Sequence, residues 1–484
     1  MKVKKIIALL LAATMCTALS ACQKEKTNED GITTITWYTR GNIGTRHKQV
    51  MAEFNKLLEE KYSMHLEFNP IGSYNEKMNV MLAAQDEMDL LYVGGAGSMQ
   101  DWAKNGALVD ITELLPKYAP KLYASMDENV WKAASIDGRI YTTPNWQIQA
   151  RSAVVVFPTN MLEETGFTTD DFSKPEDLDK YMVAVNKVKP EANELLATAF
   201  THEAYGFVGS YANDPLTVFD IEYCENGEKP EIVCAYFEKE FEDFVNERYD
   251  WFQRGLISNI YNPDTQGAFK RGMQPWFYGS TWKPGSEEEY DSNLGVDVEV
   301  KQFSPSVMTT DAILATSTAV SATSKHPEKA VEFLEIINND KELYNMLCFG
   351  VEGIDYTKVD DVHIKLTDTT AYYQFNWAIG NVANSYLLET EYAEKWEDTK
   401  KVNDEALRSP LLGMLFDREA GDISTLYADC ETVASSRMSK LANGRIEDPA
   451  AAIEELRQAL KDAGIDELLE NINAQVDAWW KENK

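Results

Sequence analysis

The stretch TTITWYTRGNIGTRHKQVMAEFNKLLEEKYSMHLEFNPI, residues 33–71, changes its hydrophobic pattern twice. TTITWYT (33–39) is rich in β-branched and aromatic residues, and HLEFNPI (65–71) alternates apolar and polar positions, which is typical of strands. The segment between them repeats its apolar residues at helical spacing, at Val50, Phe54, Leu57 and Leu58. The stretch therefore predicts a strand, a helix and a second strand.

The next thirty residues continue the same alternation. SYNEKMNVMLAAQ (73–85) predicts a helix that opens with Ser73 and Glu76 at capping-box spacing, and DLLYVGG (89–95) predicts a buried strand. A β-α-β-α-β order is typical of a parallel sheet, whose ligands bind near the carboxyl ends of the strands. Tyr38 and Arg40, at the end of the first strand, are therefore candidate ligand contacts, as is Asp89 near the third strand.

The composition restricts the class of partner. The chain of 484 residues carries 79 Asp and Glu against 46 Lys and Arg, a net charge of −33. Sequence-independent nucleic-acid binding depends on Lys and Arg at phosphates, so no nucleic-acid partner is expected. A chain of this length usually folds into two or more domains.

The amino terminus predicts an exported, lipid-anchored protein. Basic residues precede an apolar run of 13 residues (6–18), which is too short to span a bilayer and is typical of a secretory signal. LSAC (19–22) resembles the bacterial lipobox, in which the cysteine is acylated and the chain is cleaved before it. We expect a signal peptide at 1–21, a lipid on Cys22 and a polar tether at 22–30. An uncleaved anchor helix and an ordinary cleaved signal are the alternatives.

The carboxyl terminus is predicted to be mainly helical. EDPAAAIEELRQALKDAG (447–464) has Asp448 as the N-cap and Gly464 as the stop signal, and a second helical pattern covers 466–480. Cys224 and Cys234 flank an Asn-Gly turn signal, so they either form a hairpin disulfide or are two separate small apolar residues. The four cysteines that follow Cys22 do not have metal-ligand spacing.

Several segments together resemble the bacterial extracellular solute-binding proteins of family 1. EMDLLYVGG with WAKNGALVDITELLPKY, IDGRIYTTPN, and SKHPEKAVEFLEIINNDKELYNMLCFGVEGIDY are similar to family segments in the same order. SPLLGMLFD and the residues from LANGRIEDP onward are similar to the helical C-terminal domain, of uncharacterised function, found in a lipoprotein subgroup. The resemblance covers essentially all of residues 31–484.

The resemblance implies a two-lobed α/β fold of the periplasmic-binding-protein type, which closes by hinge motion on a solute in the cleft. By the same resemblance, crossings lie near 150–155, 300–308 and 362–370. Lobe 1 is then 31–152 plus 306–365, and lobe 2 is 153–305 plus 366–484 with a helical extension. The implied ligand is a sugar or oligosaccharide, delivered by a lipid-anchored monomer on the extracytoplasmic face to an ABC permease.

Sugar binding requires aromatic faces for the apolar side of the ring and planar polar groups for its hydroxyls, so clusters that combine both are candidates. TPNWQIQAR, at the expected first crossing, supplies Asn145, Trp146 and Arg151. QPWFYGSTWKPG supplies Trp276, Tyr278 and Trp282, and YYQFNWAIGN supplies Trp377 and Asn381. For each tryptophan, a place in the hydrophobic core is the competing interpretation.

The motifs of common catalytic sites are absent from the sequence. There is no G-x-S-x-G elbow, Walker A loop or H-E-x-x-H pair. No enzyme activity, cofactor or metal is therefore expected. Two alternatives to a transport receptor stay open: a sensory or peptide-binding lipoprotein of the same fold, and a surface glycosidase, since fold does not fix function.

Overall fold

The computed structural model describes residues 31–194, 200–258, 264–279 and 281–484, so the expected signal peptide and Cys22 lie outside the described residues. The chain begins with the predicted β-α-β-α-β alternation, which is confirmed. Its elements are β1 (Thr33–Arg40), α1 (His47–Tyr62), β2 (Met64–Ile71), α2 (Tyr74–Ala84), β3 (Leu90–Val93) and α3 (Ala96–Lys104). The predicted capping box of α2 is wrong, because Ser73 has a left-handed backbone (φ 52°) and its side chain caps no amide.

Short elements lead from α3 to the first crossing: α4 (Leu115–Tyr118), α5 (Pro120–Ser125), α6 (Glu128–Ala133), β4 (Ser135–Ile136), β5 (Arg139–Ile140) and β6 (Thr142–Pro144). Lobe 2 follows with β7 (Val154–Pro158), α7 (Thr159–Thr165), α8 (Leu178–Val188), β8 (Phe207–Gly209), β9 (Val218–Asp220), α9 (Glu222–Asn226), α10 (Lys239–Gln253), α11 (Thr265–Lys270), β10 (Phe277–Gly279), α12 (Ser286–Leu294) and β11 (Val298–Gln302).

The chain then returns to lobe 1 through β12 (Val307–Met308), α13 (Thr310–Leu314), β13 (Ser317–Val320), α14 (Pro327–Asn339), α15 (Lys341–Phe349), β14 (Tyr356–Lys358), β15 (His363–Leu366) and β16 (Leu387–Leu388). The C-terminal region comprises α16 (Lys395–Glu405), β17 (Leu407–Arg408), α17 (Ile423–Ala442), α18 (Pro449–Asp462) and α19 (Ile465–Asn483). Short 3₁₀ turns cover Thr169–Asp171, Pro175–Asp177, His202–Tyr205, Ala235–Phe237, Asn376–Ala378, Val382–Asn384 and Ala420–Asp422.

Lobe 1 is built on a five-stranded sheet in the order β2-β1-β3-β13-β6. β1 runs parallel to β2 and β3, whereas β13 is antiparallel to both β3 and β6. Burial alternates along β1, and the side chain of Trp37 is fully buried. The parallel order places the carboxyl ends of β1, β2 and β3 at one edge of the lobe.

Lobe 2 has a smaller sheet in the order β10-β7-β11, in which both outer strands are antiparallel to β7. All five residues of β7 are buried, as expected for a central strand covered on both faces. The chain passes between the two sheets after β6 and again after β11. Cys224 and Cys234 are separate, buried free cysteines, so the interpretation as two small apolar residues is confirmed.

The expected lobe boundary at 365/366 and the expected third crossing at 362–370 are wrong. β15 pairs with β16, so residues 366–388 continue the sheet structure that starts in lobe 1. Ala378 and Ile379 are buried in the same hydrophobic cluster as β1 and β3. The chain leaves lobe 1 only after β16, because the apolar side chains of this segment have their contacts there.

The C-terminal helices pack together against part of lobe 2. Asp448 caps α18, as predicted, by accepting hydrogen bonds from the amides of Ala450 (2.9 Å) and Ala451 (3.2 Å). Gly464 separates α18 from α19 with a left-handed backbone (φ 94°), which favours glycine. Within the described residues, none of the helices has the length and hydropathy required to cross a membrane.

Candidate functional site

The carboxyl edge of the lobe 1 sheet carries the loops that can contact a ligand. Arg40, Ile71 and Val93 end the three parallel strands there. β13 starts at the same edge with Ser317 opposite Val93, and β6 ends there with Pro144 opposite Ser317. The first crossing to lobe 2 therefore leaves from the edge at which ligands of open α/β sheets bind.

Arg40 stands at this edge between two aromatic rings. Its guanidinium carbon lies 5.9 Å from the ring centroid of Tyr92 and 6.0 Å from that of Trp377. The Tyr92 hydroxyl donates to the carbonyl of Ala315 (3.2 Å); burial raises the pKa of this phenol, and Arg40 partly offsets the rise. In the described part of the chain no carboxylate lies within 4.0 Å of Arg40, which interacts with the Tyr92 hydroxyl and is exposed to solvent.

The segment 372–377 shows aromatic rings along the same edge. Tyr372 and Gln374 are buried, while Tyr373, Phe375 and Trp377 are half-buried, which is the alternation of an extended chain. The buried residues fix the segment, because the Tyr372 hydroxyl donates to the carbonyl of Leu347 (2.8 Å). The half-buried rings are in contact, with centroids 6.2 Å apart for Tyr373 and Phe375 and 5.1 Å apart for Phe375 and Trp377.

A depression of about 360 Å³ lies beside these rings, at the ends of β1 and β2. Its lining combines the Phe375 ring and the Arg40 guanidinium with polar groups of Asn42, Ser73 and Asn75. An apolar face with a few convergent polar groups is the usual composition of a small-molecule site. This surface, comprising Arg40, the amides of Asn42 and Asn75 and the half-buried rings of 373–377, is termed the aromatic edge below.

The predicted residues of the first crossing lie next to the aromatic edge. The amide of Trp146 donates to the carbonyl of Gly380 (2.9 Å), and the carbonyl of Trp146 accepts from Val382 (3.0 Å), so Trp146 pairs with Asn381. Asn145 is buried beneath Trp377, to whose carbonyl its side-chain amide donates at 3.4 Å. Asn145 therefore positions Trp377, while the Trp146 side chain is half-buried.

Two further predicted residues have local partners. Arg151 lies on the crossing, where its Nη2 is 3.5 Å from a carboxylate oxygen of Asp311. The side chain of Asn381 accepts from the amide of Ala383 (2.9 Å) and so caps a 3₁₀ turn.

Tyr38 is half-buried against the lobe 1 core. Burial, with Asp86 and Glu67 nearby, raises the pKa of its phenol.

Lobe 2 brings Trp282 to the same cleft. Val154, the first residue of β7, pairs with Gly279 and Gln302, so the residues that follow Gly279 lie at the crossing end of that sheet. The amide of Trp282 donates to the carbonyl of Ser152 (3.4 Å), and its side chain is half-buried. Burial raises the pKa of Tyr373, and the charges of Cys348, Glu391 and Glu289, the last of these on α12, add to the rise.

Two of the predicted ligand contacts are wrong. Asp89 precedes β3, at the opposite end from the cleft, and its buried carboxylate accepts from the Thr36 amide (2.9 Å) and the Ser324 hydroxyl (2.5 Å). Trp276 is fully buried, with its ring centroid 6.4 Å from that of Trp251. Tyr278 packs on Trp276 at 5.2 Å with its hydroxyl buried, but its side chain as a whole is half-buried, so its place in the site stays a prediction.

The sequence interpretation missed Tyr373 and Phe375. The prediction of a buried strand at 89–95 is confirmed for Tyr92, which is 1% exposed although its ring lies beside Arg40. For Tyr373 and Phe375 a signal was available, because aromatic residues recur at every second position, 373, 375 and 377. Within the described residues, no group of three or more His, Cys, Asp and Glu side chains is arranged to hold a metal ion.

Comparison with known families gives two matches. The family described as "Bacterial extracellular solute-binding protein" matches residues 49–348, which is more than half of the chain. A domain of unknown function, DUF3502, matches residues 410–481, which include α17, α18 and most of α19.

Individual relatives are similar to this chain over nearly its full length. A protein of Streptococcus pneumoniae serotype 4 named "Carbohydrate ABC transporter substrate-binding protein" is 23% identical over 99% of this chain and 97% of its own length. The solved structure of the N-glycan transport solute binding protein NgtS from Streptococcus pneumoniae aligns with a TM-score of 0.79 at 21% identity, covering 93% of this chain and all of NgtS. The structure of NgtS in complex with Man5GlcNAc aligns with a TM-score of 0.69 at 23% identity, over 93% of this chain and 99% of NgtS.

Proposed function

Because this chain belongs to the bacterial extracellular solute-binding protein family, we propose that it captures a sugar or oligosaccharide between its lobes and delivers it to an ABC importer. The observation that carries the proposal is the end-to-end similarity to a protein named as a carbohydrate ABC transporter substrate-binding protein. The aromatic edge supports it independently, because half-buried rings beside Arg40 and amide groups suit a ligand with apolar ring faces and hydroxyls.

The division of roles follows from the two walls of the cleft. The aromatic edge of lobe 1 is the primary contact, and Trp282 of lobe 2 closes over the ligand. A ligand that touches both walls favours the closed arrangement by the difference in its affinity for the two states. Trp146 and Arg151, on the first crossing, lie between the walls and contact the ligand only when the lobes close.

The protein binds its ligand without changing it. The relatives are described as substrate-binding proteins, and the aromatic edge offers a guanidinium and amides rather than a pair of facing carboxyl groups. A glycosidase would release product from a bound glycan, whereas a receptor returns it unchanged. Incubation of the protein with each saccharide that it binds, followed by mass analysis, distinguishes the two functions.

The lipobox-like amino terminus supports a lipid-anchored receptor on the outer face of the membrane. Cleavage before Cys22 and acylation of its thiol leave a polar tether of residues 23–30 ahead of β1. Two or more acyl chains give stable anchoring, whereas one does not. Labelling of cells with radioactive palmitate should mark the wild-type protein and leave Cys22→Ser unlabelled. Label on the Cys22→Ser protein would overturn the assignment.

The central experiment is calorimetric titration of the tether-free protein with neutral and acidic oligosaccharides and, for comparison, short peptides. We expect one saccharide class to bind and to raise the melting temperature, with about 2.7 kcal/mol of stabilisation at a free ligand concentration 100-fold above Kd. Binding of peptides alone would replace the carbohydrate proposal with the sensory or peptide-binding alternative. If no saccharide binds, the carbohydrate part of the proposal is wrong.

The variants Trp377→Ala and Arg40→Ala test the place of binding. Each removes a half-buried or exposed group of the aromatic edge, and we expect each to weaken the affinity at least about tenfold, as for a central residue of a binding site. Trp480→Ala removes a half-buried indole of α19, remote from the cleft, and is the matched control. Equal losses for Trp377→Ala and Trp480→Ala would show that the aromatic edge does not hold the ligand.

A further inference from the structure

Lobe 2 contains a buried cation without an acidic partner. Arg248, on α10, has no exposed surface, and its guanidinium carbon lies 4.9 Å from the ring centroid of Phe244, 4.4 Å from Trp251 and 5.1 Å from Trp276. Its Nε, Nη1 and Nη2 have no hydrogen-bond acceptor among the described residues. In the same part of the chain no carboxylate oxygen lies within 4.0 Å of it.

In this arrangement the buried guanidinium of Arg248 has neither a hydrogen-bond acceptor nor an opposite charge. Arginine stays protonated in proteins, so burial cannot neutralise it. The three aromatic faces attract the positive charge, but ring faces do not satisfy the N–H groups that lie in the guanidinium plane. Buried charges in proteins are otherwise paired and hydrogen-bonded, because desolvation without a partner is costly.

The polar groups around Arg248 are also donors. The hydroxyls of Tyr205 and Tyr278 are buried and lie beside each other, and the charge of Arg248 acts on both. Beyond this mutual contact neither hydroxyl has a partner among the described residues, and the indole N–H of Trp276 has none. A cation, two hydroxyls and an indole N–H therefore share the interior of lobe 2 and require an acceptor.

The carboxylates near Arg248 do not supply the missing hydrogen-bond acceptor. Asp179 accepts from the Trp251 indole (2.8 Å) and from Arg254 (2.7 Å), so it is already engaged at the surface of the lobe. Burial raises the pKa of Glu247 to about 7, with Glu176, Asp179 and Asp250 contributing and Arg248 opposing the rise. Near neutral pH Glu247 therefore carries only part of a negative charge.

We propose that Arg248, with the hydroxyls of Tyr205 and Tyr278, binds a small inorganic anion of the size of chloride inside lobe 2. Apolar walls strengthen the attraction between the guanidinium and the anion, because the local dielectric is low. Because the Arg248 side chain and both hydroxyls are buried, the bound anion has to be small. The anion completes the hydrogen bonds of the cluster and so stabilises lobe 2.

The site is distinct from the aromatic edge. Tyr278 contacts Phe303 with ring centroids 6.4 Å apart, and the amide of Phe303 donates to the carbonyl of Ala153 (2.9 Å) on the crossing. The anion therefore lies behind the strands that join the lobes, on the lobe 2 side. Its binding does not depend on whether the ligand of the cleft is a carbohydrate.

The direct test is crystallographic. Crystals of the protein are grown with sodium bromide in place of chloride, and anomalous data are collected at the bromine edge. We expect an anomalous peak within hydrogen-bond distance of the Arg248 guanidinium and of one of the two tyrosine hydroxyls. A water molecule there, or a carboxylate of Glu247 turned onto Arg248, overturns the proposal. A parallel crystal grown in formate distinguishes a general carboxylate site, in which formate replaces the halide.

A melting experiment in solution tests the site without the high salt concentrations used in crystals. At constant ionic strength, replacement of gluconate by chloride should raise the melting temperature of the wild type by about 1 °C for each tenfold increase above Kd. The rise should be larger at pH 6 than at pH 8, because protonated Glu247 no longer competes for Arg248. Arg248→Met should abolish the chloride dependence, while Arg271→Met, at an exposed arginine, should retain it.

The results of the chloride experiment can be interpreted independently of whether the protein binds a carbohydrate. A chloride dependence that is the same in wild type and Arg248→Met shows halide binding elsewhere and overturns the assignment. If Arg248→Met does not fold, the bromide map of the wild-type protein decides. A protein that binds bromide at Arg248 but no saccharide leaves the anion site standing and removes the carbohydrate proposal.

Discussion

The C-terminal helical region touches both lobes, and its two contact surfaces differ in kind. Its contact with lobe 2, here the apolar seam, is one hydrophobic cluster that joins α10 and β9 to α17, α18 and α19. Its contact with lobe 1 has two parts. A small apolar cluster packs Ala406 and Leu412 against α6 and α13, and a second part, here the polar seam, links α3 to residues 416–419. Gln100 donates to the carbonyl of Phe416 (2.9 Å), Arg418 to Asp101 (3.0 Å) and Lys104 to Glu419 (2.5 Å).

The difference shows which contacts of the C-terminal region are strong. Apolar burial contributes about 25 cal/mol per Å², whereas exposed ion pairs contribute about 0–1 kcal/mol each. The polar seam also borders a cavity of about 860 Å³ between α3, the 135–138 turn and the end of α19, so its packing is incomplete. We infer that the polar seam contributes less to stability than the apolar seam.

A cavity-forming substitution in the apolar seam should have the largest effect on stability. Leu456 on α18 is fully buried in it, and Leu456→Ala should lower the free energy of unfolding of lobe 2 by about 2–5 kcal/mol, through lost burial and a cavity. Denaturant titration followed by circular dichroism measures the loss. Val80→Ala, at a side chain that is 70% exposed on α2, is the control and should change stability by less than about 0.5 kcal/mol. A loss below about 1 kcal/mol for Leu456→Ala would contradict a tightly packed seam.

A pH titration tests the stability of lobe 2 at α10, on which Glu247 lies. Burial raises the pKa of Glu247 from 4.5 to about 7, so the folded protein holds a proton that the unfolded chain releases. The contribution to stability is complete below pH 4.5 and falls as the pH rises to about 7, by on the order of 1–2 kcal/mol after allowance for solvent screening.

The readout is the denaturation midpoint between pH 4.5 and 8. Glu247→Gln should remove this part of the pH dependence and leave the protein more stable than wild type at pH 8. Glu454→Gln, at an exposed position on α18, should retain the wild-type profile. A wild-type profile in Glu247→Gln would mean that another group titrates.

The polar seam should give the smallest effect and the strongest dependence on salt. Arg418 is 37% exposed and Asp101 is 56% exposed, so their coupling in a double-mutant cycle of Arg418→Ala and Asp101→Ala should be about 0.2–1 kcal/mol. The coupling should shrink between 0.05 and 1 M salt, in line with a Debye length that falls to about 3 Å. A coupling above about 2 kcal/mol would contradict the assignment of the polar seam as the weaker contact.

Local elements were predictable where pattern and chain geometry agree. The strands and helices of residues 33–93, and the Asp448 cap of α18, follow from apolar periodicity and from a side chain that reaches the amides of its own helix. The prediction of a capping box at Ser73 was wrong, although Ser73 and Glu76 are the residue types that such a box requires. Its left-handed backbone turns the side chain away from the amides of α2, and residue type alone does not reveal that angle.

The candidate site was predictable in part. Arg40 and Trp377 were named from residue type and from their places in strand and crossing, and the structure brings them within 6.0 Å of each other. Trp276 was named for the same reasons and is fully buried. The two tryptophans differ in what packs over them, which depends on residues far away in the chain.

By itself, the sequence determined the order of strands and helices, the acidic charge and the family, because these depend on neighbours in the chain and on motif order. Only the tertiary structure decided which aromatic rings face the cleft, that residues 366–388 belong to lobe 1, and that Arg248 is buried without an acid. Each of these depends on contacts between residues distant in sequence, since burial and pairing are properties of the packed chain and not of a residue type.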